Sequence, residues 1–147
     1  MHSRCSRILT VIAAMAGACC AFSERADAQP QSTSQLALCG RPPHHNCVID
    51  GDTFYLGNQS IRIADIDAPE THPSRCEYEA QLGQRATRRL RELLNAGPFT
   101  LQAYTRDRDQ YGRLLRIVIR DGRSIGGVLV SEGLARKWTG RRQPWCT

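Results

Sequence analysis

The sequence predicts an α+β fold, a small five-stranded β-barrel with two or three helices set among its strands. Two observations point there. Five short runs with strand character are punctuated by Gly, Pro, Asn and Asp, and two stretches carry helical spacing, in the order three strands, a helix, two strands and a helix. A sandwich or an open sheet would satisfy the same order, so the pattern narrows the architecture without closing the barrel.

The first strand signals are Cys47 to Ile49 and Phe54 to Leu56, with Gly57-Asn58 as the turn after them. Gln59 to Ile66 alternates, which sets Ile61 and Ile63 on one face and Arg62 on the other. Pro69 stops that strand, so Asp67 and Glu70 fall where strand becomes loop. Glu77 to Asn95 reads as a helix, because Ala80, Gly83, Ala86, Leu90 and Leu94 recur at helical spacing and Gly97-Pro98 ends it. Phe99, Leu101 and Ala103 alternate with Thr100, Gln102 and Tyr104, and Leu115, Ile117 and Ile119 form a second alternating run closed by Asp121-Gly122. Ser124 then caps a short helix carrying Ile125, Val128 and Leu129, stopped by Gly133.

The chain ahead of these elements reads differently. Arg4 and Arg7 precede an uncharged apolar run from Ile8 to Phe22, and Ala26-Asp27-Ala28 has the small-x-small form of a cleavage site. This is the layout of a secretory signal peptide, residues 1–28, cut after Ala28. The apolar run falls short of the roughly 20 residues that span a bilayer, which disfavours an uncleaved anchor. A polar linker, 29–38, follows, and 39–147 would form one domain with one modest core. The product would be secreted or periplasmic, with no lasting membrane association, and a monomer. The leader carries three arginines, one Asp and one Glu, so the formal charge of the remainder falls from +6 to +5. A basic exported protein favours an anionic partner, nucleic acid first among them, although an Arg-rich soluble surface gives the same balance.

Cysteine use agrees with export. Cys39, Cys47, Cys76 and Cys146 remain after the leader, enough for two disulfides with three possible connectivities. The preferred one joins Cys39 to Cys47, clamping the start of the first strand, and Cys76 to Cys146, tying down the tail. A metal site at Cys39, His44, His45 and Cys47 competes, but the compartment is oxidising and the spacing fits no established zinc pattern.

Chemistry concentrates in Asp50-Gly51-Asp52-Thr53, Asp65-Ile66-Asp67-Ala68-Pro69-Glu70-Thr71, Arg62 between them, and Tyr111-Gly112-Arg113. Carboxylates among turn residues suit a hard cation, so Asp52 and Asp67 are the metal-ligand candidates. Two guanidiniums beside such a cation suit a phosphate, which each can grip bidentately. Taken singly, every one of these features has a plain structural reading as a turn, a surface salt bridge or core filler. Arg88, Arg89 and Arg91 read first as a solvated helix face, with a remote phosphate contact as the alternative.

These motifs, in this order and spacing from about Asn46 to Leu134, resemble the staphylococcal (thermo)nuclease family. The resemblance implies an OB-fold and a Ca²⁺-dependent endonuclease acting on DNA and RNA, single strands preferred, by water attack at phosphorus with P–O5′ cleavage and 3′-phosphate ends. It implies that the backbone carbonyl of Ala68 joins Asp52 and Asp67 at the cation, and that Glu70 is the general base or a metal-orienting group. Arg62 and Arg113 would bind the scissile phosphate, and Tyr111 would wall the nucleotide. The family's aromatic pair beyond Gly133-Leu134-Ala135 is not matched, so Trp138 or Trp145 would substitute, and the tail Arg141 to Cys146 would stand where a further helix follows. The alternative is the same fold binding nucleic acid without cutting it.

Overall fold

A computed structural model describes residues 35–147. The leader, the cleavage site after Ala28 and most of the linker lie outside the described residues. The chain folds as β1 (Ala37–Leu38), β2 (Cys47–Asp50), β3 (Thr53–Leu56), β4 (Gln59–Ile63), β5 (Ile66–Asp67), α1 (Glu77–Asn95), β6 (Thr100–Arg108), β7 (Leu114–Arg120), β8 (Arg123–Ser124), α2 (Ile125–Ser131) and β9 (Arg136–Lys137).

The five longer strands, β2, β3, β4, β7 and β6, lie side by side in that order, which with the two helices is the OB-fold-like arrangement expected. Pairing is antiparallel from β2 to β4 and between β7 and β6, and parallel between β4 and β7. A parallel neighbour needs a long crossover, and α1 with β6 supplies it. Phe54 from β3 meets Phe99 edge to face, ring centroids 6.1 Å apart, and Ile61, Ile63, Leu90, Leu94 and Leu129 close the core around them.

Three details depart from the pattern read in the sequence. Leu36 is buried and β1 pairs with β2, so residues assigned to the linker already belong to the sheet. The run Gln59 to Ile66 divides at Ala64-Asp65 into β4 and β5, and β5 leaves the main sheet to pair with β9. In β7 the buried side chains are Leu115 and Val118, while Ile117 and Ile119 are half-buried. Leu115 and Val118 lie on opposite faces, so burial reaches both sides of this strand; the register against β6 also shifts between Ala103 and Arg108, a bulge that coils the pair.

Two close approaches set the loops that matter for function. A Cβ on Gly51 would lie 2.6 Å from the Ala86 side chain and 2.8 Å from that of Ala68, so only glycine lets the β2–β3 turn rest on α1. A Cβ on Gly83 would lie 2.8 Å from the Pro69 carbonyl and 3.0 Å from that of Glu70, which seats the loop after β5 on the same helix. Glu79, fully buried in the first turn of α1, reaches back to accept a 2.7 Å hydrogen bond from the Arg75 amide and fixes the chain entering the helix. Among the described residues no helix is long and apolar enough to cross a membrane.

Disulfides join Cys39 to Cys47 and Cys76 to Cys146. The second spans 70 residues and pins the tail, whose Trp145 is buried in the core. Replacing both Cys76 and Cys146 with Ala should cost about 4 kcal/mol in denaturant unfolding, mainly by freeing the unfolded chain. An unchanged midpoint, or non-reducing peptide mapping that links Cys39 to Cys76, would contradict this pairing.

Candidate active site

The site forms where the β2–β3 turn, β4 and β5 meet. Asp50 accepts a hydrogen bond from the Asp52 amide at 3.2 Å, the Asx geometry that bends the turn. Asp52, 3% exposed, uses one carboxylate oxygen for the Thr53 hydroxyl at 2.8 Å and the other for the Ala68 amide at 3.3 Å. Its backbone carbonyl accepts from the Ile63 amide at 2.8 Å. One residue therefore ties all three segments together.

Arg62 points away from Ile61 and Ile63 as expected, yet it is buried too. Its Nη1 donates to the carbonyls of Ile63 at 2.8 Å and Ile66 at 3.2 Å. That leaves Nη2 3.1 Å from Asp52 Oδ2 and 3.9 Å from Asp67 Oδ1. The Trp138 ring lies 5.4 Å from the guanidinium carbon.

Asp67 is 3% exposed, and neither of its carboxylate oxygens has a hydrogen-bond partner among the described residues. Burial pushes its pKa above the usual carboxylate range, against the pull of Arg142 and Arg62 and with the push of Asp52. A buried carboxylate held only by ion pairs with Arg62 and Arg142, with no hydrogen bond on either oxygen, fits a hard divalent cation beside Asp52, since such ions take oxygen ligands and offer full positive charge. Ala68 is buried beside them with its amide committed to Asp52. Glu70 is half-exposed and bonds Nη1 of Arg142, whose Nε lies 3.1 Å from Asp67 Oδ1.

Arg113 stands on the other side of Asp52. Its Nε donates to Asp109 Oδ2 at 2.7 Å and its Nη1 to the Thr53 hydroxyl at 3.4 Å, so one hydroxyl separates it from the Asp52 carboxylate. Burial opposes ionisation of Asp109, and the hydrogen bonds from Arg113 overcome it, holding that carboxyl below its usual range. Tyr111, 75% exposed, presents its ring 5.5 Å from the Arg113 guanidinium carbon. A cleft of about 310 Å³ opens here, lined by Arg62, Tyr104, Arg106, Tyr111, Arg113 and Trp138 among others.

The structure thus gathers Asp52, Asp67, Ala68, Glu70, Arg62, Arg113, Tyr111 and Trp138 at one place. It separates the two tryptophans, since Trp145 fills the core and Trp138 reaches the cleft. The Cys39 and Cys47 sulfurs are bonded to each other and His45 contacts Asn58, which removes the competing metal reading there. Asp65 accepts from the Ser124 hydroxyl at 2.6 Å and positions the start of α2. Of the helix arginines, Arg89 bridges Glu132 and Glu92. Arg142, Asp109 and Arg106 also stand at the site without having been picked out from the sequence as functional residues. The Asp-Gln-Tyr-Gly-Arg run held a signal for Asp109, four residues before Arg113; Arg142 had none, because only the folded tail brings it home.

Residues 60–145 match the family described as Staphylococcal nuclease homologue, more than half of the chain. The chain belongs to the staphylococcal nuclease homologue family. The match starts beyond Asp52, so the first carboxylate is placed by the fold, and it runs through the tail that carries Arg142. Curated relatives include the SPbeta prophage-derived endonuclease YokF of Bacillus subtilis, 44% identical over 94 residues, or 60% of this chain and 31% of that protein. Endonuclease YncB of the same organism is 43% identical over 94 residues, covering 60% of this chain and 44% of its own. The chain spans less than half the length of these relatives.

Burial, reinforced by the neighbouring Asp52 charge, raises Asp50 from 3.8 to about 7. Between those values the folded chain holds a proton that the unfolded chain has released, so this group's contribution to stability declines as pH rises through 7. With EGTA present, Asp50→Asn should therefore gain melting temperature relative to wild type as pH goes from about 5 to about 8. An equal gap at both pH values would contradict it.

Proposed function

We propose that the chain is an exported, calcium-dependent endonuclease that hydrolyses phosphodiester bonds in DNA and RNA. The observation that carries this reading is the convergence of three carboxylates and two arginines beside one aromatic cleft. Names given to the relatives, endonuclease in each case quoted, agree with it.

Asp52, Asp67 and the Ala68 carbonyl would hold the cation, with Asp67, whose oxygens carry no hydrogen bond, as the natural first ligand. A bound calcium ion would supply positive charge against a phosphoryl oxygen and lower the pKa of a water. Arg62 is fixed by two backbone carbonyls and Arg113 by Asp109, so both forks are held before substrate arrives. Fixed donors aimed at growing negative charge are often the largest contribution to catalysis. Glu70 accepts the proton of the attacking water. Cleavage of the P–O5′ bond, leaving a 3′-phosphate, is the outcome that the family resemblance implies.

The faces of Tyr111, Tyr104 and Trp138 give bases a stacking platform, and Arg106 adds charge for the backbone. Splayed bases suit such a cleft better than a closed duplex, which supports the preference for single strands.

Incubating the mature protein with plasmid and with single-stranded DNA, in Ca²⁺ and then in EGTA, tests this. Cutting should require Ca²⁺. Glu70→Gln, Arg62→Lys and Arg113→Lys should each slow turnover by at least about 100-fold, the typical loss for one well-placed transition-state donor. Lysine keeps the charge but loses the planar fork, so electrostatic attraction to DNA should survive. Asp52→Ala should act through the metal, leaving metal-free nucleic-acid affinity nearly unchanged. Single-stranded DNA bound but left uncut by wild type in Ca²⁺ would establish the binding module instead.

A further inference from the structure

Among the described residues, Arg142 is the one cation in contact with Asp52, Asp67 and Glu70 together. Its Nε lies 3.1 Å from Asp67 Oδ1, its Nη2 3.9 Å from Asp52 Oδ2, and its Nη1 is bonded to Glu70 Oε1. The segment that delivers it is anchored. Cys146 is bonded to Cys76, Trp145 is buried, and Arg136 stacks 3.7 Å from the Trp145 ring centroid while donating to the Pro144 carbonyl at 3.1 Å.

We propose that Arg142 is a further active-site residue, a tethered guanidinium that competes with the divalent cation for Asp52, Asp67 and Glu70; this rests on reading those carboxylates as the cation site. The two positive groups exclude each other. A calcium ion sits about 2.3–2.6 Å from its oxygen ligands, so it would take the oxygens that face Arg142 and set like charges side by side. Arg62 cannot be the one that yields, because two backbone carbonyls and burial hold it. Arg142 has a 30% exposed side chain and, among the described residues, hydrogen-bonds only Glu70. It can swing outward on its anchored tail. Cation occupancy and the freeing of Glu70 as a base then become one event, and Arg142 sets the cation concentration at which the site switches on.

Calorimetric titration of Ca²⁺ into metal-stripped mature protein, disulfides intact, tests this without reading activity. Arg142→Gln should bind Ca²⁺ at least about tenfold more tightly than wild type, the factor carried by one charge-assisted hydrogen bond. Arg141→Gln, an exposed neighbour with the same loss of charge, should change affinity less than about twofold, as expected of a solvent-screened charge. Arg142→Lys should tighten binding by a smaller factor, and carries the test should the glutamine variant not fold. The metal-free melting temperature should fall in Arg142→Gln, and its rise on Ca²⁺ saturation should exceed that of wild type. Calcium affinity equal in all variants, or weaker in Arg142→Gln, overturns the role of Arg142 while leaving the cation site standing. No calcium binding by any of the proteins overturns both.

Discussion

Negative charge held away from water governs this molecule. Asp52 and Asp67 are each 3% exposed and lie close enough to share Arg62, and Glu70 joins them through Arg142. Like charges in a poorly solvated place repel, and every ionised carboxylate there needs a positive neighbour. Arg62 answers part of that need permanently, being wired to the backbone of β4 and β5. The rest is answered by a group that can leave. A site with a fixed cation and an exchangeable one is suited to taking up a metal ion and then an anionic substrate.

The fold is arranged to keep that imbalance in place. The Asp52 turn and the Glu70 loop both rest on α1, at Gly51 and Gly83, where any side chain would force them apart. Asp52 itself spans the turn and the strand exit by accepting from Thr53 and Ala68. Pairing of β5 with β9 leads the chain past the site, and the Cys76–Cys146 bond returns its end to the start of α1. The tail is held by covalent anchoring and one buried tryptophan, and this anchoring brings Arg142 to the carboxylates.

Much of this was legible in the sequence because short-range signals carried it. The bounds of α1 followed from helical spacing and Gly97-Pro98, and the five main strands from alternation and turn residues. The split of β4 from β5 was hidden, since Ile61, Ile63 and Ile66 read as one run until β9 is known to compete for the last residues. Asp52, Asp67, Arg62 and Arg113 could be named because motif order carries the family resemblance. Arg142 could not, because its role depends on a disulfide across 70 residues and on the path of an irregular tail. Trp138 and Trp145 looked interchangeable for the same reason, and only packing separates the ring in the cleft from the ring in the core.

A crystal structure of the mature protein grown in calcium tests the central claim, that these carboxylates form a cation site from which Arg142 is displaced. An ion should lie about 2.3–2.6 Å from Asp52, Asp67 and the Ala68 carbonyl, with Arg62 unmoved and the Arg142 guanidinium turned away from Asp67 and Glu70. Calcium bound elsewhere, or Arg142 still seated among the three carboxylates at saturating calcium, would contradict it.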